Sequence, residues 1–381
     1  MQQQPSPYTA PPPVVSLEKV EKMRRGMAHL FSVGDTTLDE PHSGFVRYRG
    51  RFLVDSADCF DEIREIFEAQ GFTPTVREEE NGRIAIVAIP QVFNPSASDW
   101  RINLALFVAT VLATLLTGSF YNAETVEQAF QIWRGWPFSL SIMLILGAHE
   151  LGHYFAARYH KVAVSLPYFI PLPVPVISLF GTLGAFIRMK EPVKNKRALF
   201  DIGVAGPLAG LVFAVPILIY GLATSEIGPM SSTGLLEGNS LFYYLSKFAV
   251  FGQFLPSETS DVYLNQVAWA GWVGLLVTSL NLMPVGQLDG GHIMFSLFGR
   301  RAGQLFMPII VILVALSIAS YLIYGTATWT LWIVLLYFFG RTYAEPLDDV
   351  TELDPRRRWL GIATMIIFVL IFMPVPLRIL G

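Results

Sequence analysis

Long apolar blocks separated by short polar linkers run through this chain from about residue 100 onward, and they restrict what it can fold into more than any other feature. In lipid, a stretch of about 20 apolar residues can satisfy its own backbone only as a helix, so the blocks dictate a bundle of membrane-crossing helices. They cover residues 101–118, 137–159, 199–222, 266–298, 302–324, 326–342 and 357–378, which makes about seven spans. With 52% hydrophobic and 15% charged residues, the balance lies well outside that of soluble domains. The expected class is a membrane all-α protein, a polytopic helical bundle. Its single cysteine, Cys59, excludes an internal disulfide framework and any cysteine-rich metal site. The net charge of −3 singles out no partner, and no nucleic acid is expected.

Charged residues are frequent up to Asp99 and then nearly vanish inside the blocks, which marks a boundary. Residues 1–43 read as a disordered tether in which Leu17, Val20, Met23 and Leu30 suggest a short amphipathic helix. Residues 44–98 read as a small α+β domain: a strand over Phe45–Val54, a helix over Cys59–Gln70 and two strands joined at Asn81-Gly82. Residues 99–381 form the membrane domain. Between residues 188 and 197, Arg188, Lys190, Lys194, Lys196 and Arg197 face one acid, Glu191, so this linker is placed in the cytoplasm. The acidic-to-neutral loop over 223–266 is then external, the N-terminus cytoplasmic and the C-terminus external. Met1 to Val15 has the plan of neither a secretory signal nor an organellar transit peptide, and a bacterial cytoplasmic membrane is expected.

Inside the apolar run Trp136 to Ala157 stands His149-Glu150-Leu151-Gly152-His153. Residues i and i+4 share one helix face, so both imidazoles can reach one metal ion, with Glu150 beside them as a general base. Ionisable residues inside a membrane are expensive and therefore functional by default. A third ligand is expected from another span at the same depth. His149 precedes Arg158, and Asp289 precedes Arg300, by spacings that put both roughly 14–17 Å from the cytoplasmic boundary. Pro284, Gly286, Gly290 and Gly291 break the span near Asp289, and broken backbone at this depth must line protein or water.

Three segments in this order resemble the site-2 protease family of intramembrane zinc proteases, in its bacterial and plastid branch with a soluble N-terminal extension. They run from Gly147 to His153, from Gly203 through Gly206-Pro207 to Gly210, and from Asn281 through Pro284 to Asp289-Gly290-Gly291. The likeness covers roughly residues 100 to 345. It implies one zinc ion held by His149, His153 and Asp289, catalysis by Glu150, help from Asn281 in holding the substrate or its oxyanion, and cleavage of transmembrane protein substrates within the lipid bilayer.

The chemistry also follows from the residues. Two imidazoles and a carboxylate leave one zinc position for water, whose proton Glu150 can take and later return to the leaving amine. Asn281 offers an amide donor, or a plain interhelical hydrogen bond. Gly203, Gly206 and Gly210 allow close helix packing, and Asp201 is read as the partner of Arg197. His160 and His292 are left out of the metal set. The proline-rich and glycine-rich stretch Val164 to Met189 reads as a re-entrant loop or hairpin. Its segment Gly181–Ile187, including Gly184 and Ala185, is expected to lie extended beside the cavity and pair with unwound substrate. Two other classes compete: a zinc-binding membrane chaperone or receptor without protease activity, and an ion-coupled transporter using Glu150, Asp201 and Asp289.

Overall fold

The computed structural model describes residues 15–79, 82–121, 123–173, 179–230 and 234–380. Its residues form two units. The first holds residues up to Pro95 together with two segments from much later in the chain, Pro192–Lys196 and Glu345–Glu352. The second holds the rest.

In the first unit, α1 (Leu17–Gly26) leads to β1 (Phe31–Leu38), β2 (Val46–Phe52), α2 (Ser56–Glu68), β3 (Thr73–Glu78) and β4 (Ile84–Ile89). The strands make one antiparallel sheet in the order β1-β2-β4-β3. Asp55 starts α2 by accepting the Ala57 N–H, and Gly71, at φ +88°, turns the chain into β3. Phe60, Ile63 and Phe67 on one face of α2 pack with Met23, Met27, Leu30 and Phe31 in a single core.

Here the structure corrects the tether expected over residues 1–43: from Leu17 to Leu38 it is helix and strand. The apolar residues of α1 have the core of α2 to bury against, and the polar β1 is held by main-chain pairing to β2 that no side-chain pattern announces. Asn81 lies outside the described residues. A further surprise is the edge of β3. There, Val76 N–H donates to Leu347 O and Leu347 N–H to Val193 O, so the two late segments extend the sheet.

The second unit begins with α3 (Trp100–Tyr121), α4 (Val126–Ala129) and α5 (Trp136–Tyr159), followed by a hairpin of β5 (Tyr168–Pro171) and β6 (Thr182–Phe186). Then come α6 (Lys196–Ala223), β7 (Glu226–Pro229), β8 (Gly234–Glu237), α7 (Leu241–Phe251), β9 (Ser260–Tyr263) and α8 (Gln266–Asn281). The unit ends with α9 (Asp289–Phe298), α10 (Phe306–Tyr324), α11 (Thr330–Phe339), α12 (Pro355–Ile371) and β10 (Leu377–Leu380). Strand β7 pairs with β9, and β8 with β10.

Among the described residues, three helical runs are long and apolar enough to cross a membrane: Trp100–Tyr121, Lys196–Ala223 and Asp289–Tyr324. They include the expected spans at 101–118, 199–222 and 302–324. The block 266–298 is not one helix. It ends at Asn281 and restarts at Asp289, as Pro284 and the glycines foreshadow, and the restart runs on through a 3-10 segment, Gly299–Leu305, into α10.

Candidate metal centre

Helix α5 presents His149 and His153 on the face that packs against α6 and α8. That packing is close because glycines remove side chains where the helices meet. A Cβ on Gly152 would lie 2.5 Å from Ala205 O, and one on Gly274 of α8 would lie 2.9 Å from Ile145 Cδ1. At Gly206 the demand is tighter still, since a Cβ there would fall 2.1 Å from His153 Nε2; at Gly210 it would meet the His149 ring at 3.3 Å. These glycines do more than thin a helix. They make room for the two imidazoles.

The break between α8 and α9 brings Asp289, the first residue of α9, to the same point. Gly290 and Gly291 pack against the carbonyls of Leu282 and Gly286 at distances that admit no side chain, so the turn is wound tightly enough to aim Asp289 inward. Its Oδ2 stands 3.3 Å from His149 Nε2, its Oδ1 3.3 Å from His153 Nε2, and the two Nε2 atoms are 3.1 Å apart. Ligand bonds of about 2.0–2.1 Å in a tetrahedral site put neighbouring ligand atoms ~3.3 Å apart, so the three atoms match one face of such a site. The tautomer agrees too. His153 Nδ1–H donates to Ile202 O at 2.7 Å, which leaves the Nε2 lone pair facing the carboxylate. Lone pairs and a carboxylate converging from three sides, all buried or nearly so, call for a cation among them. The donor set of two nitrogens and one oxygen suits zinc and leaves a fourth position free.

These groups line a cavity of about 310 Å³. Glu150 lies in it, buried, and so does Ile187 at the end of β6. Asn281 is there as well, its Nδ2 3.3 Å from His149 Nε2. Of the hairpin residues singled out in the sequence, Ala185 lines the cavity with Phe186 and Ile187. Gly184 neighbours them in β6 at φ +100°. Gly181 is placed elsewhere: it packs on α3, where a Cβ would lie 2.6 Å from Thr117 Oγ1. Asn103 of α3 anchors the start of the hairpin through hydrogen bonds from Nδ2 to Leu166 O and Pro167 O.

Two histidines set aside in the sequence separate here. His160 pairs with Asp201 at 2.8 Å, and Arg357 of α12 grips the same carboxylate with two bonds of 2.8 and 2.7 Å. The sequence offered Arg197 for Asp201; Arg357, 156 residues away, carries no signal that could have linked them. His292 lines the metal cavity, about one turn beyond Asp289, but is not among the three residues whose ligand atoms converge.

Residues 137–323 match the model of Peptidase family M50, the family of the site-2 proteases. The Arabidopsis thaliana protein named probable zinc metalloprotease EGY2, chloroplastic, is 28% identical over 94% of this chain and 65% of its own length. Its counterpart in Oryza sativa subsp. japonica is 26% identical over 89% of this chain and 63% of its own. The Arabidopsis EGY1 protein, with the same description, is 32% identical over 63% of this chain and 43% of its own. The chain thus spans just under two thirds of the length of the relatives that match most of it.

Proposed function

We propose that this chain is a zinc-dependent endopeptidase that hydrolyses peptide bonds within or beside the transmembrane helices of membrane-protein substrates. The observation that carries the reading is the triangle of His149, His153 and Asp289 ligand atoms with Glu150 at its edge, in a cavity among apolar helices. His149, His153 and Asp289 would hold the zinc, which would supply Lewis acidity and lower the pKa of water there to near neutrality. Glu150 accepts the proton of that water and hands it to the leaving amine. The Asn281 amide donates to the oxygen on which negative charge grows. The exposed edge of β6 offers main-chain hydrogen bonds to a substrate segment that has left its helical form.

The pairing of segments supports the proposed seven-span arrangement with a cytoplasmic N-terminus. Segments 15–95, 192–196 and 345–352 share one unit, as loops on one side of a membrane would. Strands β7, β8, β9 and β10, all assigned to the other side, pair among themselves. A bacterial cytoplasmic membrane is the setting we propose; the named relatives are chloroplast proteins. Glu150 speaks against a zinc-holding chaperone, because a purely structural site has no use for that base.

The test separates metal binding from chemistry. Glu150→Gln keeps the size and polarity of the side chain but removes the proton acceptor, so zinc stays near one per chain while cleavage of a transmembrane substrate is lost. Asp289→Ala, His149→Ala and His153→Ala lose both. Full zinc content and activity in purified Asp289→Ala would show the third ligand to be misassigned. Membrane proteomes of cells making wild-type protein and Glu150→Gln identify the substrates as the transmembrane proteins that accumulate uncut.

A further inference from the structure

Away from the metal centre, strands β8 and β9 and the start of α8 border a second cavity, of about 300 Å³. Most of its wall is apolar or aromatic, with Tyr121, Leu235 and Trp269 prominent, and two acids, Glu237 and Asp261, complete it. Each acid is only 7% exposed. Beside them lies Lys247 of α7, fully buried, its Nζ 3.6 Å from Glu237 Oε1, 3.5 Å from Asp261 Oδ1 and 4.6 Å from the centre of the Tyr243 ring. Tyr243 Oη–H donates to Glu237 Oε1 at 3.0 Å.

This cluster does not balance. Two carboxylates face one ammonium, and Asp261 Oδ2 has no hydrogen-bond partner although it is cut off from water. Lys247 Nζ also makes no hydrogen bond, so it neutralises without satisfying. Burying charge this way is costly unless a further donor completes the set. Burial pushes the Glu237 carboxyl above its usual range, as expected where negative charge is left over. A bare metal ion would leave the apolar wall unused, and an anion would meet two carboxylates. What fits is a positive group on an apolar stem, with aromatic rings at hand to favour the cation.

We propose that this cavity binds a primary ammonium group carried on an apolar stem, with Asp261 as counter-ion and hydrogen-bond acceptor and Tyr121, Leu235 and Trp269 covering the stem. The free amino terminus of a polypeptide and the headgroup of an ethanolamine lipid share this chemistry.

Calorimetric titration of the full-length protein in phosphatidylcholine nanodiscs with leucinamide tests it. Saturable binding is expected, lost on N-acetylation of the probe and weakened at least tenfold by Asp261→Asn. Leu235 is half exposed, so Leu235→Trp can fill the cavity without opening the core, and it too should abolish binding while the melting profile stays as in wild type. Displacement of leucinamide by a tripeptide with a free amino terminus assigns the site to polypeptide ends, and displacement by phosphatidylethanolamine assigns it to lipid. Equal binding of the acetylated probe, wild-type affinity in both variants, or no saturable binding at millimolar leucinamide would overturn the proposal. Neither zinc content nor hydrolysis enters the readout, so it stands or falls separately from the protease assignment.

Discussion

A methyl group on residue 206 would sit 2.1 Å from the imidazole of His153, closer than any packing tolerates. Gly206→Ala is therefore expected to push that ring off Ile202 O and out of reach of Asp289. Zinc per chain, measured on purified protein, should fall well below one and hydrolysis should fall with it. Gly147→Ala is the contrast: nothing lies within 4 Å of the Cβ it would add, so metal content should hold and the helix gains up to ~1 kcal/mol. The sequence showed Gly206 on a span built for close approach, but what approaches is a side chain of another helix, which only the fold reveals. The soluble unit offers a second test. Cys59 is buried and its thiol is pushed up to about 11, mainly by desolvation, so at pH 8 only roughly one molecule in a thousand carries the reactive thiolate. Native protein should resist maleimide for hours, and denaturant should restore full labelling; rapid native labelling would show that the core around α2 opens readily.

Strand β6 carries the main conformational demand at the level of elements. Gly184 holds φ +100° there, which L side chains rarely adopt, yet no atom lies within 4 Å of the Cβ it lacks. Gly184→Ala thus tests backbone alone. The strain, ~1–3 kcal/mol, should reshape the edge beside Ala185 and Ile187 and depress cleavage of a transmembrane substrate with zinc content unchanged. Wild-type cleavage would remove the strand from the mechanism. The hairpin was legible because a run so rich in prolines and glycines cannot make one long helix, and the break before Asp289 was legible for the same reason. Strand β1 was not. Its residues from Phe31 to Leu38 alternate poorly and include Gly34 and Asp35, and its pairing with β2 is written in the backbone rather than in side-chain periodicity. Likewise α1 read as a tether because its burial depends on α2, some forty residues later.

For the molecule as a whole, the proposed metal ties α5 to the start of α9, so its loss should be felt beyond catalysis. Treatment with a strong chelator is expected to abolish hydrolysis and lower the melting temperature, both reversed by zinc. A site filled about 1,000-fold above its Kd contributes ~4 kcal/mol to the folded state. An unchanged melting curve on verified zinc removal would mean that the helices hold the ligand triangle unaided. Three of the expected spans could be read from hydropathy, and the convergence of His149, His153 and Asp289 from their spacing in the sequence. The division into units could not, since nothing in residues 192–196 or 345–352 distinguishes them from ordinary linkers until they are seen extending a sheet.

That extension bears on how the protein is made. Strands β1 to β4 are made well before the rest of their own unit, whose core includes Leu347, and Arg77 Nη1 donates to Leu347 O across 270 residues of chain. At about 5–20 residues per second, the last piece arrives roughly 15–55 s after β3, with most of the apolar helices made in between. Until then the flank of β3 is an open edge, and it closes only when residues 345–352 have been made. The sheet is thus completed late, and nascent chains arrested before residue 345 should be digested by protease in this unit far faster than finished ones.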